Sequence, residues 1–174
     1  DSYYEILLRM RGDDGELIAP ENFLPVAHEF GLSSRIDLMV LESTLQFMDE
    51  WREQLPGSRF SINLTPATVC RVPFPGEVQR LLARYHIEPW QLIFEITESQ
   101  SFTNVEQTQM TLSRLRAMGC SIAIDDFGTG YASYARLKSI NADILKIDGS
   151  FIRNIVTSSL DYQIVESMCH LARM

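Results

Sequence analysis

The chain has 174 residues, of which 45% are hydrophobic and 22% are charged, so its composition is that of one globular domain with a sizeable core. The formal net charge of −8 argues against a protein that binds duplex nucleic acid through a basic face. It does not exclude a small anionic ligand, because bound cations can reverse the local electrostatic field.

Five apolar runs predict β-strands. They cover residues 3–9, 59–64, 92–96, 121–125 and 143–147. The runs are rich in Ile, Leu and Phe and carry few internal charges, as expected of strands that are buried on both faces. Helical patterns separate the runs, and this alternation indicates an α/β domain with a parallel sheet.

Helices are predicted from apolar periodicity. A stripe that starts at Ile36 and includes Phe47 predicts a helix ending near Trp51, and residues 77–85 predict a shorter helix.

Two further helices are predicted from their ends. Thr103 and Glu106 form a predicted capping box for a helix that runs to Met118. A last helix is predicted to begin near Ser159 and to be still running at Met174.

The cysteines and the absence of targeting signals bear on location. Cys70, Cys120 and Cys169 are widely spaced and form no CxxC pair, so neither a zinc site nor a disulfide framework is indicated. A reducing cytoplasm fits best. There is no signal peptide and no run of about 18 apolar residues. We therefore expect a cytoplasmic domain, although a longer parent protein that is anchored to the inner membrane remains open.

Five polar residues each lie on or at the end of a different predicted strand. These residues are Glu5, Asn63, Glu95, Asp125 and Lys146. In a (β/α)₈ barrel, catalytic residues come from the carboxyl ends of several strands, which is the pattern seen here. Such a barrel usually needs about 250 residues and eight strands. With five predicted strands, the chain is expected to be a fragment that lacks barrel elements at both ends.

The acidic pair Asp125–Asp126 lies where a predicted strand stops, and Gly128 and Gly130 follow it. At a frayed strand end both carboxylates can turn toward one site, where they suit hard divalent cations. The glycines allow a mobile loop beside that site. A simple turn with two solvated acids is the alternative interpretation of this segment taken alone.

The oxygen donors predict a magnesium or manganese site. Glu5, Asn63, Glu95 and Asp125 offer oxygen ligands from four strands, and oxygen-only ligation favours Mg²⁺ or Mn²⁺ over zinc. Asp125 could bridge to a second ion held by Asp126. Two ions about 3.5–4 Å apart suit the hydrolysis of a phosphate ester.

Two basic residues complete the predicted site. Lys146 could orient the attacking water or stabilise charge on the phosphate. Arg9 would share a strand face with Glu5 and pair with a ligand phosphate. The alternatives are structural: Glu5 and Lys146 could form an internal ion pair, and Asn63 could cap the helix that follows.

An ordered set of motifs extends over essentially the whole chain. The motifs are Glu5-Ile-Leu-Leu-Arg9, Pro20-Glu-Asn-Phe-Leu-Pro25, Asn63-Leu-Thr65, Glu95-Ile-Thr-Glu98, Asp125-Asp-Phe-Gly-Thr-Gly-Tyr131 and Lys146-Ile-Asp148. With these motifs the chain resembles the EAL-domain phosphodiesterases, bacterial signalling enzymes that hydrolyse cyclic di-GMP. The resemblance implies a modified TIM barrel whose site lies at the carboxyl ends of the strands, and a product that is the linear dinucleotide pGpG.

The resemblance also implies a role for each site residue. One Mg²⁺ or Mn²⁺ would be bound by Glu5, Asn63, Glu95 and Asp125, and a second by Asp125 together with Asp126. Lys146 would contact the catalytic water, and Arg9 would contact a phosphate of the ligand. Glu98 would anchor the loop at residues 127–134, which in this family couples the site to a dimer interface; a homodimer is therefore expected.

Departures from the family pattern leave the metal ligands in place. Ile6 replaces the alanine of the family's name, Met10 a common tryptophan, Thr65 a common serine and Ala132 a loop serine. The family's further catalytic glutamate and a glutamine lie beyond this chain, as do the barrel's first strand and last two strands. The complete parent domain is predicted to be catalytic, and this partial EAL domain, residues 1–174, to be inactive or poorly folded by itself.

Three functions follow from these features. The first is a metal-dependent cyclic di-GMP phosphodiesterase. The second is a receptor that binds cyclic di-GMP without cleaving it, but such domains usually lose metal ligands, and here all those covered by the chain are present. The third is a pure interaction module, which the many polar groups aimed at one site argue against. Sensor or diguanylate-cyclase-like domains in the parent chain would be common for the family.

Overall fold

The computed structural model describes residues 2–99, 104–129 and 140–173. Its strands are β1 (Tyr3–Ile6), β2 (Met10–Arg11), β3 (Leu17–Ile18), β4 (Arg59–Asn63), β5 (Leu92–Thr97), β6 (Ser121–Phe127) and β7 (Ile144–Ile147). Its helices are α1 (Pro20–Glu29), α2 (Ser33–Glu50), α3 (Pro66–Val69), α4 (Phe74–Tyr85), α5 (Val105–Ala117), α6 (Gly149–Ile152) and α7 (Ser159–Leu171). A short 3-10 turn, Pro89–Gln91, precedes β5.

Five strands form one parallel sheet in the order β1-β4-β5-β6-β7. The five predicted strands and their parallel pairing are therefore confirmed. Since consecutive strands of this sheet are neighbours, their carboxyl ends lie side by side along one edge. The sheet order thus places residues that are far apart in sequence next to one another.

The main core lies between one face of the sheet and the helices α2, α4 and α5. Alternate residues of the strands point to this face. Its fully buried side chains include Leu41, Leu45, Ile62, Val78, Leu92, Phe94, Ile96, Leu112, Leu115 and Ile122. The other face of β5 carries Ile93 and Glu95, which are both fully buried as well. The packing of the first face therefore fixes which residues the second face presents.

The first strand is shorter than predicted. It ends at Ile6, so Arg9 lies beyond it and does not share a strand face with Glu5. The chain turns instead into the antiparallel hairpin of β2 and β3. Most of β1 is exposed, contrary to the prediction that all five strands are buried on both faces, because in the described part of the chain β1 pairs only with β4.

Helix α1 is missing from the predicted elements. Pro20 occupies its first turn, where a missing N–H does no harm, but Pro25 lies inside the helix. A proline within a helical pattern normally indicates a break, which is why periodicity did not predict α1.

Two predicted helix ends are wrong. The cap of α5 is Asn104, whose side chain accepts a hydrogen bond from the Gln107 N–H at 2.9 Å, so Glu106 is not the capping-box partner. Thr103 lies outside the described residues. Helix α7 begins after its cap Ser158 and ends at Leu171, three residues before the chain's last residue, which also lies outside the described part.

None of the described helices combines the length and the apolar composition that a membrane span requires.

Candidate metal centre

The five polar residues predicted at the strand ends come together at one edge of the sheet. Glu5 lies on β1, Asn63 on β4, Glu95 on β5, Asp125 on β6 and Lys146 on β7. One carboxylate oxygen from each of the three acids lies within 4.8 Å of the other two. The carboxyl edge of the parallel sheet therefore gathers these groups, as the strand-by-strand spacing predicts.

Lys146 is at the centre of this cluster. Its ammonium Nζ donates hydrogen bonds to Glu95 Oε2 at 2.7 Å, to Asp125 Oδ2 at 3.1 Å and to Glu5 Oε2 at 3.3 Å. Burial by itself would lower the pKa of Lys146, but the hydrogen bonds to Glu95 and Asp125 outweigh it and raise the pKa above its ordinary value. Lys146 is therefore a cation that contacts three acids. The structural alternative assumed only one ion pair, between Lys146 and Glu5.

Glu95 is the most deeply buried of these acids and is fully shielded from solvent. Both of its oxygens accept hydrogen bonds, Oε2 from Lys146 and Oε1 from the Tyr3 hydroxyl at 2.6 Å. Tyr3 is not among the residues predicted from sequence. The signal was available, because Tyr3 precedes Glu5 by two positions and therefore shares its strand face.

Asn63 lies beside Glu5, with its amide Nδ2 3.4 Å from Glu5 Oε1. The cap position of the next helix, α3, is held by Thr65, so Asn63 is not the helix cap that the structural alternative assumes. The loop after Asn63 is tied to helix α2 through Asp37 Oδ2, which accepts bonds from the Thr65 N–H at 2.9 Å and the Thr68 hydroxyl at 2.5 Å. Burial raises the pKa of Asp37 although these bonds oppose the shift.

Strand β6 does not end at Asp125 as predicted but continues to Phe127 through a β-bulge. The register with β7 shifts between Ile124 and Phe127, and Asp126 adopts a left-handed φ of 53°. The Asp126 N–H donates to Asp125 Oδ1 at 2.9 Å. The strand is therefore not frayed at Asp125 and Asp126, contrary to the prediction. A β-bulge interrupts the regular alternation of side chains between the two faces of the sheet there.

Asp126 is not part of the three-carboxylate cluster, but the charges of nearby residues, including Asp125 and Lys146, act on it. Burial, followed by the charges of Asp125 and Asp148, raises the pKa of Asp126, while Lys146 opposes the shift. Asp148 follows β7 directly and caps α6 by accepting a bond from the Ser150 N–H at 2.8 Å. Asp148 was not predicted as a site residue, although it ends the last of the family-like motifs.

Glu98 contacts the start of the glycine-rich segment. Its Oε2 accepts a hydrogen bond from the Gly128 N–H at 2.6 Å, and its own N–H donates to the Asp125 carbonyl at 3.0 Å. Gly128 has a φ of 104°, and a Cβ there would come within 2.7 Å of the Phe151 ring. Only glycine fits this position. The rest of the predicted loop, residues 130–134, lies outside the described residues.

Arg9 lies beyond the end of β1, beside a cavity. Its Nη1 donates to the Leu8 carbonyl at 2.7 Å, and its side chain is exposed. It lines a cavity of about 280 Å³ together with Asn63, Thr65 and Thr97. Although the strand geometry predicted for Arg9 is wrong, this cavity borders on one of the proposed metal ligands.

The donor set of this centre fits a hard divalent cation. All the acidic ligands offer oxygen, and ligands that share one Mg²⁺ lie at most about 4.2 Å apart, twice the usual Mg–O distance of about 2.1 Å. The observed limit of 4.8 Å requires only small side-chain movements. The structure thus has a five-stranded parallel α/β sheet with three acids clustered at its carboxyl edge, where they could hold a divalent cation.

Comparison with known protein families identifies the domain. Residues 2–174 match the EAL domain, so the chain belongs to the EAL domain family. Phosphodiesterases of this family are generally metal-dependent.

Two relatives from Escherichia coli K12 are similar over nearly the whole chain. The cyclic di-GMP phosphodiesterase PdeF is 69% identical over 174 residues, and the probable cyclic di-GMP phosphodiesterase PdeA is 47% identical over 173 residues. The matches cover 100% and 99% of this chain but only 23% and 24% of those proteins. The chain thus spans about a quarter of the length of these relatives.

Solved structures show the same fold. The structure described as PaMucR phosphodiesterase in complex with cyclic di-GMP matches with a TM-score of 0.85 and 36% identity, over 97% of this chain and 69% of that one. The FimX EAL domain from Pseudomonas aeruginosa, bound to cyclic di-GMP, matches with a TM-score of 0.88 at 24% identity, over 98% and 68%. At that identity the second match supports the fold alone. The EAL-type barrel architecture predicted from sequence is therefore confirmed.

Proposed function

We propose that this chain is part of a metal-dependent phosphodiesterase that hydrolyses cyclic di-GMP to linear pGpG in bacterial second-messenger signalling. One observation carries the proposal: a single lysine faces three acidic side chains at the carboxyl edge of an EAL-family sheet. This arrangement leaves an excess of negative charge that a divalent cation would balance. The 69% identity to a protein described as a cyclic di-GMP phosphodiesterase supports the substrate.

The metal ligands in this proposal are the predicted ones. Glu5, Asn63, Glu95 and Asp125 would hold one Mg²⁺ or Mn²⁺, and Asp125 with Asp126 would hold a second. The convergence of three of the acids within 4.8 Å supports the first site. The pKa of Asp126 is raised by burial and then by the charge of Asp125, which supports a second cation, because two neighbouring carboxylates are more stable with a counter-ion between them. Bound divalent cations supply Lewis-acid stabilisation of charge on the phosphoryl oxygens.

The basic residues act on the substrate and on water. Lys146 keeps its proton near neutral pH, so it can orient an attacking water by hydrogen bonding and stabilise negative charge that develops on the phosphate. Arg9 would pair with a second phosphate oxygen from the neighbouring cavity. Glu98 would hold the segment after Asp126 through the Gly128 N–H. In these roles Glu5, Asp126 and Lys146 are the predicted catalytic groups.

The rest of the active domain is proposed to come from outside this chain. The relatives are about four times longer, so the first strand and the last two strands of the barrel have room elsewhere in the parent protein. Those elements would also cover the exposed strand β1. A homodimer, sensor or cyclase-like domains and a cytoplasmic site of action, with or without a membrane anchor, stay predictions. Three free thiols agree with a reducing compartment.

The test is hydrolysis of cyclic di-GMP by the full-length protein with Mn²⁺ or Mg²⁺, following pGpG by chromatography. The wild type is expected to form pGpG. Glu5→Ala is expected to abolish product, because Glu5 is one of the three clustered acids. Glu29→Ala, on the exposed end of α1, is the matched control and should keep full activity.

Binding of cyclic di-GMP without product, by folded protein with metal present, would contradict the enzyme and favour the receptor. Neither binding nor product would leave only the interaction module.

A further inference from the structure

We propose that Tyr3 is a positioning residue that holds the metal ligand Glu95 in its binding orientation and so sets the affinity of the metal centre. The inference rests on the proposed function, because it takes Glu95 to be a ligand of the cation. Tyr3 lies outside the motifs that identify the family, and its role comes from its contacts in the structure.

The contact between the two side chains is short, and it joins a fully buried acid to a tyrosine that is 45% exposed. The Tyr3 hydroxyl donates to Glu95 Oε1 at 2.6 Å, which is typical of an O–H donor on a carboxylate. Glu95 is fully buried, so water does not compete for its oxygens. The hydroxyl therefore holds one end of a carboxylate whose other oxygen faces Lys146.

The hydroxyl is suited to this task because it donates a hydrogen bond without adding charge. Lys146 also donates to Glu95, but its positive charge repels an incoming cation. The neutral Tyr3 hydroxyl adds no such repulsion, and it bonds the carboxylate oxygen of Glu95 that Lys146 does not contact. Tyr3 can thus stay bonded to Glu95 Oε1 while the cation binds, as groups behind a metal ligand commonly do.

The backbone fixes this geometry. Tyr3 and Glu5 are two positions apart on β1, so the same strand face presents a metal ligand and the group that orients another ligand. Tyr4, between them, points to the opposite face and stacks on Phe60 with ring centroids 5.3 Å apart. The chain thus offers adjacent tyrosines on the same strand, one at the site and one away from it.

The experiment is a titration of the full-length protein with Mn²⁺ in the absence of substrate, measured by electron paramagnetic resonance of the free ion. Tyr3→Phe removes only the hydroxyl, and Tyr4→Phe is the matched control. Tyr3→Phe is expected to weaken the tightest Mn²⁺ site about 10–100-fold, the usual effect of losing a group behind a metal ligand. Tyr4→Phe should bind Mn²⁺ like the wild type. A high Mn²⁺ concentration should restore hydrolysis by Tyr3→Phe.

Unchanged Mn²⁺ affinity in folded Tyr3→Phe would overturn the inference, as would a loss of activity that excess Mn²⁺ does not restore. Glu95→Gln separates this inference from the proposed function. If Glu95→Gln weakens Mn²⁺ binding and Tyr3→Phe does not, only the role of Tyr3 fails. If Glu95→Gln also binds like the wild type, the proposed metal role of Glu95 fails, and the role of Tyr3 fails with it.

Discussion

The two ends of the parallel sheet both carry charged side chains, but they balance their charges differently. At the amino end, Arg116 donates hydrogen bonds from Nε and Nη2 to the Asp143 carboxylate at 2.9–3.1 Å. Asp143 Oδ2 also accepts a hydrogen bond from the Ile122 N–H at 2.9 Å. One cation meets one anion there. At the carboxyl end, three acidic side chains share the single ammonium of Lys146.

This difference distinguishes a structural ion pair from a ligand site. A matched pair is complete without a ligand, and its fork geometry favours one arrangement. An excess of carboxylates in a partly buried place is unfavourable unless a cation joins them, because charge out of water must be paired. The comparison teaches that the ratio of acids to bases, more than the presence of charge, distinguishes the end of the sheet at which we propose the metal site.

The largest expected effect comes from neutralising the buried acid at the carboxyl end. Glu95→Gln keeps the size of the side chain but removes a charge from the cluster. A bound cation contributes several kcal/mol of transition-state stabilisation, so hydrolysis of cyclic di-GMP is expected to fall about 1,000-fold. The measurement is kcat/KM of the full-length protein at saturating Mn²⁺.

The comparison also requires that Glu95→Gln change the stability of the metal-free fold only slightly, because relief of the repulsion among the acids offsets the weaker hydrogen bonds from Lys146 and Tyr3. Urea unfolding in the presence of a chelator tests this. Activity close to that of the wild type, or a large loss of metal-free stability, would place Glu95 with the structural residues instead.

An intermediate effect is expected from removing the shared cation. Lys146→Met leaves three acids facing one another, so the metal-free protein is expected to lose about 1–3 kcal/mol of unfolding free energy, the range for hydrogen bonds to charged groups after discounting solvent screening. Added Mn²⁺ should recover part of the loss by pairing the same acids. Urea unfolding of both proteins, with chelator and with Mn²⁺, measures the difference.

The pH dependence of that difference follows from the raised pKa of Lys146. The folded protein holds the Lys146 proton more tightly than the unfolded chain, whose lysine pKa is about 10.4. The stabilisation by Lys146 should therefore be fully present at pH 8. It should be lost as the pH rises from the pKa of the unfolded chain toward the higher pKa of the folded protein. A difference between wild type and Lys146→Met that grows at alkaline pH would contradict this assignment.

The smallest expected effect lies at the amino end. Asp143→Ala breaks the pair with Arg116 and leaves the Ile122 N–H without its acceptor. Both side chains are about one-third exposed, so the loss of stability should be about 1–2 kcal/mol. Hydrolysis and Mn²⁺ affinity should stay as in the wild type, and a change in Mn²⁺ affinity would remove the contrast between the two ends.

The carboxyl end of this contrast could be predicted from the sequence, whereas the pair of Arg116 with Asp143 was not. Apolar runs at intervals of one βα unit predict the parallel sheet, and polar residues at matching positions on them predict the carboxyl-edge cluster. Glu5, Asn63, Glu95, Asp125 and Lys146 were found in this way. The edge at which they meet follows from parallel pairing alone.

Other features depend on three-dimensional contacts that local patterns do not encode. The bulge at Asp126 arises from the register with β7, which sequence periodicity does not report. The position of Arg9 depends on where β1 gives way to a hairpin. The roles of Tyr3 and Asp37 depend on partners 92 and 28 residues away.

The most direct test of the metal centre is anomalous diffraction from crystals of the complete domain grown with Mn²⁺ and cyclic di-GMP. We predict an anomalous peak from a manganese ion that is coordinated by oxygens of Glu5, Glu95 and Asp125. Lys146 is expected to lose its hydrogen bond to at least one of the three acids that it contacts in the present structure. Absence of manganese from this cluster, with Lys146 still bonded to all three acids, would contradict the account.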